Sequence, residues 1–115
     1  MENCLFCKIA TGEIPTNLLY KDEHMVAFAD ISPRAPVHIL IIPQKHIASL
    51  AELTAEDIPL IGAIQYLAKQ LAEQHGIAES GYRVLTNCRG DSGQEVHHLH
   101  YHLVGGTPLG MFLQT

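Results

Sequence analysis

Positive charge is scarce in this chain of 115 residues: 7 Lys and Arg stand against 12 Asp and Glu, for a net charge of -5. Gripping a nucleic-acid polymer takes clustered Lys and Arg, so that class of partner is excluded and any nucleotide bound here is small. Long apolar runs are missing as well. The densest, around residues 39–43, falls far short of the about 20 residues a membrane-spanning helix needs, and the N-terminus has no signal-peptide pattern. No membrane partner and a cytoplasmic location are therefore expected. There is no low-complexity tract, internal repeat or linker, and 47% hydrophobic residues suffice for a packed core, so one domain over residues 1–115 is expected. Cysteine is limited to 3, an odd number that argues against a disulfide framework. Cys4 and Cys7 form a C-x-x-C pair, and Cys88 reads as a small buried hydrophobe.

What the chain does have is strand-like and helix-like patterning in an α+β order. Residues 18–22 and 25–30 read as a hairpin, and residues 37–42, β-branched and closed by Pro43, as a buried third strand. Apolar residues at 61, 64, 67, 68 and 71 recur at helical spacing, giving a main helix over 58–75. Its start is open between Thr54 and Asp57 as cap, with Pro59 suited to a first turn; its end is marked by His75 and Gly76. Residues 82–87 and 98–104 complete a five-stranded antiparallel sheet, joined by a polar loop at 89–93, with a short helix near the N-terminus.

Three of the 8 histidines, His98, His100 and His102, are spaced by two. Side chains alternate across a strand, so the three rings share one face while Leu99, Tyr101 and Leu103 take the other. Protonating one ring disfavours protonating its neighbours, which biases the cluster toward neutral imidazoles. A neutral imidazole serves as nucleophile, proton carrier or metal ligand, and the spacing alone leaves all three open. The loop with Gly90, Gly93 and Gln94 suits backbone N–H contact with an anion, Asn87 adds a neutral donor, and Gly105 and Gly106 remove bulk where the last strand ends.

The run Gln94-Glu95-Val96-His97-His98-Leu99-His100-Tyr101-His102-Leu103-Val104-Gly105-Gly106 resembles the histidine-triad signature. Phe28-Ala29-Asp30-Ile31-Ser32-Pro33, Ile42-Pro43-Gln44-Lys45-His46-Ile47 and the segment from Gly81 to Asn87 resemble the rest of that domain. The glycine pair is similar to the Hint branch rather than to the dinucleoside polyphosphate hydrolases. The resemblance implies a homodimer with a continuous ten-stranded sheet and hydrolysis of purine nucleoside 5′-phosphoramidates. By it, His100 is the nucleophile that carries the nucleotide covalently until water releases AMP. His102, His98 and Asn87 are implied as its catalytic companions, and the N–H groups of Gly93, Gln94 and Glu95 as phosphate donors. Asp30 is implied to accept the ribose hydroxyls, and Ile14, Phe28 and Ile31 to sandwich the base. It also implies structural zinc on Cys4, Cys7, His46 and His98; the C-x-x-C pair alone points only weakly to metal.

His24, His38 and His75 read as ordinary residues, His97 as a packing residue opposite the triad, and Lys45 and Arg34 as solvated surface. Glu95, Ser92 and His97 depart from the usual Ser, Gly and Tyr, and the chain stops at Thr115 without the aromatic tail of some relatives. Three other readings compete. Dinucleoside polyphosphate hydrolysis would keep the chemistry, a nucleotide-binding regulatory module would make His100 dispensable, and a zinc-dependent structural protein would depend on metal alone.

Overall fold

A computed structural model describes residues 3–111; the tail ending at Thr115 lies outside them. Five antiparallel strands form one sheet in the order β1-β2-β3-β5-β4: β1 Leu18–Lys21, β2 Met25–Ala29, β3 Val37–Pro43, β4 Tyr82–Thr86 and β5 Tyr101–Gly105. Three α-helices accompany them: α1 Leu5–Thr11, α2 Ile58–Gln74 and a single turn, α3 Arg89–Ser92. The last of these falls within what the sequence read as a loop. Among the described residues no helix is long and apolar enough to cross a membrane.

Strand alternation divides the sheet into two apolar faces. On one, Met25, Ala27, Ile39, Ile41, Tyr101 and Leu103 meet Ile64, Leu67, Ala68 and Leu71 of α2 in a closed core. On the other, Val26, Phe28, Leu40 and Ile42 meet Phe6, Ile9 and Ala10 of α1. Helix α1 is capped by Cys4, whose Sγ accepts from the Cys7 N–H at 3.3 Å, and it ends at Gly12 with φ 84°. It covers only part of its face, and the imidazoles occupy the remainder.

Both cap readings for α2 are realised in succession. Thr54 and Asp57 close a capping box around a 3-10 turn, Ala55–Asp57, and the helix then starts at Ile58 with Pro59 in its first turn. At the other end the Gly76 and Ile77 N–H groups return to Glu73 and Ala72, with Gly76 at φ 74° and Ile77 buried, the hydrophobic closure of a left-handed cap.

The fifth strand is shorter than expected: it begins at Tyr101, so His98 and His100 precede it. Other groups satisfy the backbone there. The Leu99 N–H donates to the Ile47 carbonyl at 2.6 Å, and the Thr86 hydroxyl donates to the His100 carbonyl at 2.8 Å, so no β4–β5 ladder forms beyond the Thr86–Tyr101 pair. The fourth strand stops at Thr86 for the same reason, leaving Asn87 just past the last rung, in line with His100. Leu99, Tyr101 and Leu103 still enter the α2 core, so the alternation survives the loss of ladder. It fails one step earlier. His97 is exposed rather than packed, and with Cys4, His46 and Glu95 it lines an open pocket of about 610 Å³.

Candidate active site and metal centre

The hydrogen bonds of four imidazoles fix which nitrogen of each carries the proton. A carbonyl oxygen only accepts and a backbone N–H only donates. His98 Nε2 donates to the Pro43 carbonyl at 2.8 Å, which leaves its Nδ1 with a lone pair. His100 Nδ1 donates to the His98 carbonyl at 2.7 Å, which leaves the lone pair on Nε2. His38 Nδ1 accepts from the Arg34 N–H at 3.1 Å, so its proton is on Nε2, 2.9 Å from His102 Nδ1. His102 Nδ1 therefore accepts, and its proton is on Nε2. That Nε2 is a buried polar atom with no hydrogen-bond partner among the described residues, a condition that costs free energy unless a ligand relieves it. The cluster thus offers an unprotonated nitrogen on His100 beside an unspent donor on His102, their ring centroids 5.1 Å apart.

Burial favours the neutral form of His98, His38 and His102. It holds the His98 imidazole below the ordinary histidine range and does the same to His38, where Asp30 opposes it. His102 is pushed down to about 4 by burial first and then by the neighbouring His100 and His38. At neutral pH His102 is an uncharged donor, not an imidazolium. Phe6 of α1 seals the floor, edge-on to His100 at 5.1 Å and to Phe28 at 5.7 Å.

His38, an ordinary strand residue by sequence, belongs to the site. It is buried, its ring contacts His102, and its Nε2 lies 3.4 Å from Asp30 Oδ2. Strand parity was the signal that could have found it: His38 pairs with Val104, two residues along β5 from His102 on the same face. Asp30 spends its other oxygen on the Ser32 N–H at 2.8 Å.

The phosphate-loop residues look different in place. The Gly93 and Gln94 N–H groups donate to the Gly90 and Arg89 carbonyls, closing α3 with Gly93 at φ 87°. The Gln94 side chain is consumed too: Oε1 accepts from the Arg89 N–H at 2.7 Å, and Nε2 donates to the Ala48 and Val96 carbonyls at 2.7 and 3.0 Å. Gln94 thus braces the loop from inside. Glu95 is exposed and lines the open pocket with His46 and His97. The apolar trio is not an open sandwich: Phe28 is 4% exposed and packed on Phe6, Ile14 is half-buried beside the same cluster, and Ile31 is 98% exposed on the turn after β2. Lys45, read as surface, pairs with buried Asp57 at 2.8 Å.

Cys4, Cys7, His46 and His98 bring four ligand atoms within 4.8 Å of one another. Cys4 Sγ and Cys7 Sγ lie 3.3 and 3.5 Å from His98 Nδ1, and Cys7 Sγ lies 3.3 Å from His46 Nδ1. Tetrahedral zinc with the usual Zn–S and Zn–N bonds puts sulfur and nitrogen about 3.6 Å apart, so the cluster fits a metal with little movement. The His98 bond to Pro43 turns the lone pair toward the thiols, as an outer-shell carbonyl does for a ligating histidine. Burial, followed by the hydrogen bond with Cys4, raises the Cys7 thiol to about 11; a divalent cation reverses that by favouring the thiolate. Asp30, His38 and His102 also converge within 4.8 Å. There the Arg34 N–H forces the His38 proton onto Nε2, which removes the lone pair a cation would need.

The family model described as scavenger mRNA decapping enzyme C-term binding matches residues 3–113. The purine nucleoside phosphoramidase of Escherichia coli (strain K12) is 47% identical over 112 residues, covering 97% of this chain and 94% of that protein. The chain belongs to the histidine-triad family. Among solved structures, this histidine-triad protein is similar to a HIT family hydrolase from Clostridium thermocellum, at 47% identity and a TM-score of 0.94 over 99% of both chains. A histidine triad protein from Clostridium difficile gives 41% identity and a TM-score of 0.94 over 98% of both chains. The five-stranded antiparallel sheet with its helices is the histidine-triad fold, and the relatives support a hydrolase.

Proposed function

We propose that this histidine-triad protein hydrolyses the P–N bond of purine nucleoside 5′-phosphoramidates. The observation that carries the reading is the fixed tautomer pair: His100 has its lone pair on Nε2 because Nδ1 donates to the His98 carbonyl, and His102 has an unspent Nε2–H beside it. His100 Nε2 attacks the α-phosphorus, the scissile P–N bond breaks, and the amine departs with the bonding pair and a proton from water. The adduct ring is cationic, and its Nδ1–H bond to the His98 carbonyl strengthens as charge develops. The hydroxide left by that water then attacks phosphorus, the bond to His100 breaks, and the pair returns to Nε2 as AMP leaves. Splitting one displacement into two is the gain of covalent catalysis.

The His102 Nε2–H, the Asn87 amide and the Glu95 N–H meet the phosphate oxygens, while Gly93 and Gln94 shape the loop that holds them. Asp30 accepts the ribose hydroxyls, and the base lies between Ile14 and Ile31 over the edge of Phe28. His98 acts from the metal side, where zinc on Cys4, Cys7, His46 and His98 ties the N-terminal helix to the catalytic segment. When bound, the metal supplies only the cross-link and the thiolate charge balance.

A second copy of the chain pairs along β4 to extend the sheet to ten strands. The β1 edge is broken by a register shift between Leu18 and Tyr20, which discourages edge pairing. The β4 register is regular, and Tyr66 and Tyr82 are exposed large side chains nearby in α2 and β4. The test of the hydrolase is AMP release from a fluorogenic adenosine phosphoramidate by the wild type and by His100→Ala. Turnover that falls by orders of magnitude in the variant supports the reading. Equal inertness of two proteins that both bind AMP replaces it with a nucleotide-binding module.

A further inference from the structure

We infer that Asp30 is a positioning residue for His102, acting through His38, so that contact of sugar hydroxyls with Asp30 sets the nitrogen on which His102 carries its proton. This rests on the nucleoside reading above and adds to it a coupling between sugar recognition and the chemical step. The His38 ring has one proton, held on Nε2 by the Arg34 N–H at Nδ1. That proton has two acceptors in reach, His102 Nδ1 at 2.9 Å and Asp30 Oδ2 at 3.4 Å. The other oxygen, Oδ1, accepts from the Ser32 N–H, which holds the carboxylate with Oδ2 turned toward His38. The charged carboxylate and the neutral imidazole therefore compete for the same donor.

The competition has a consequence at the phosphate. While His38 donates to His102 Nδ1, the His102 proton is confined to Nε2, where it is a donor for a phosphate oxygen. If His38 swings toward Asp30, His102 Nδ1 loses its donor and the ring is free to carry its proton there, leaving an Nε2 lone pair that repels phosphate. A ribose hydroxyl that donates to Asp30 Oδ2 supplies the carboxylate with the hydrogen bond it would otherwise draw from His38. The sugar thereby secures the donor at His102. The other groups around His38 are Arg34, whose backbone N–H holds Nδ1 and whose charge disfavours protonating either His38 or His102, and Val104, its apolar partner on β5.

The experiment compares adenosine 5′-phosphoramidate with its 2′,3′-dideoxy counterpart on the metal-loaded wild type. The expected result is a fall in kcat of about tenfold for the dideoxy substrate, the size of one neutral hydrogen bond, in addition to any rise in KM. In Asp30→Asn the kcat gap between the two substrates closes to less than about twofold, since two perturbations of one link are not additive. Nitrogen-15 NMR of the His102 ring gives a readout independent of turnover: with AMP the proton is on Nε2 alone, and with 2′,3′-dideoxy-AMP it is shared with Nδ1. An effect on KM alone, with identical His102 ring shifts in both complexes, overturns the coupling. Absence of nucleotide release, as AMP or 2′,3′-dideoxy-AMP, from both substrates overturns the hydrolase reading instead, and the NMR comparison then decides the coupling.

Discussion

Replacing Gln94 tests the claim that this residue braces the loop from within. In Gln94→Ala the Arg89 N–H loses its acceptor at 2.7 Å, and the Ala48 and Val96 carbonyls lose a shared donor at 2.7 and 3.0 Å. Each such bond contributes about 1 kcal/mol net, and a buried group left unpaired costs more, so the expected loss is about 2–4 kcal/mol. Arg89 adds to the demand, because it is the one described non-glycine residue at positive φ, 65°, and its N–H is what Gln94 holds. Gln94→Glu separates bracing from mere volume. The carboxylate keeps the acceptor for Arg89 but sets a negative oxygen against two carbonyls, so its pKa is raised. At pH 7 it is more destabilising than alanine, and the penalty shrinks as pH falls and the acid becomes a donor. Urea unfolding of the three proteins at pH 7 and pH 5 reads this directly. An alanine variant within 1 kcal/mol of wild type, or a glutamate variant no different from alanine at both pH values, refutes the brace.

Further outcomes follow from the rings, the metal cluster and the core. His102, held at about 4 when folded against 6.5 when free, is a group with depressed pKa: its contribution is present above pH 6.5 and is lost as pH falls through 4. For a partly solvated ring this is about 1–2 kcal/mol, and the acid limb of a urea-unfolding pH profile should flatten by that amount in His102→Gln. Metal-loaded protein treated with a chelator should lose at least about 10 °C in Tm, with proton release on reloading, whereas Cys7→Ser should bind no zinc by elemental analysis and show no chelator response. Leu71→Ala, at a site 1% exposed in the α2 core, should cost about 2–5 kcal/mol in urea unfolding.

The sheet and the long helix were legible because each carries a local period. Met25–Ala29, Val37–Pro43 and Ile58–Gln74 appear within one or two residues of where the apolar pattern placed them. The site was legible only where its residues are neighbours in sequence. His98, His100 and His102 show themselves by spacing, but His38 stands 64 residues from His102, and only the β3–β5 register brings the two together. The metal set is similar: Cys7 and His46 are 39 residues apart, and the resemblance to a family, not the C-x-x-C pair, named all four ligands. His97 was misplaced because extrapolating the strand backward ignored that Leu99 takes its backbone partner from Ile47. The Gln94 N–H reads as a phosphate donor in sequence, since nothing local reveals that it closes on the Arg89 carbonyl while the side-chain amide is held by Arg89, Ala48 and Val96.

The central claim is that His100 forms a bond to phosphorus. Rapid acid-free quenching of the protein with adenosine 5′-phosphoramidate, followed by mass spectrometry of the intact chain and its peptides, tests it most directly. The account predicts an adenylyl group on the peptide that contains His100, appearing before steady state, discharged by water, and absent in His100→Ala. AMP release at wild-type rate by His100→Ala, or an adenylyl group on any other residue, would contradict it.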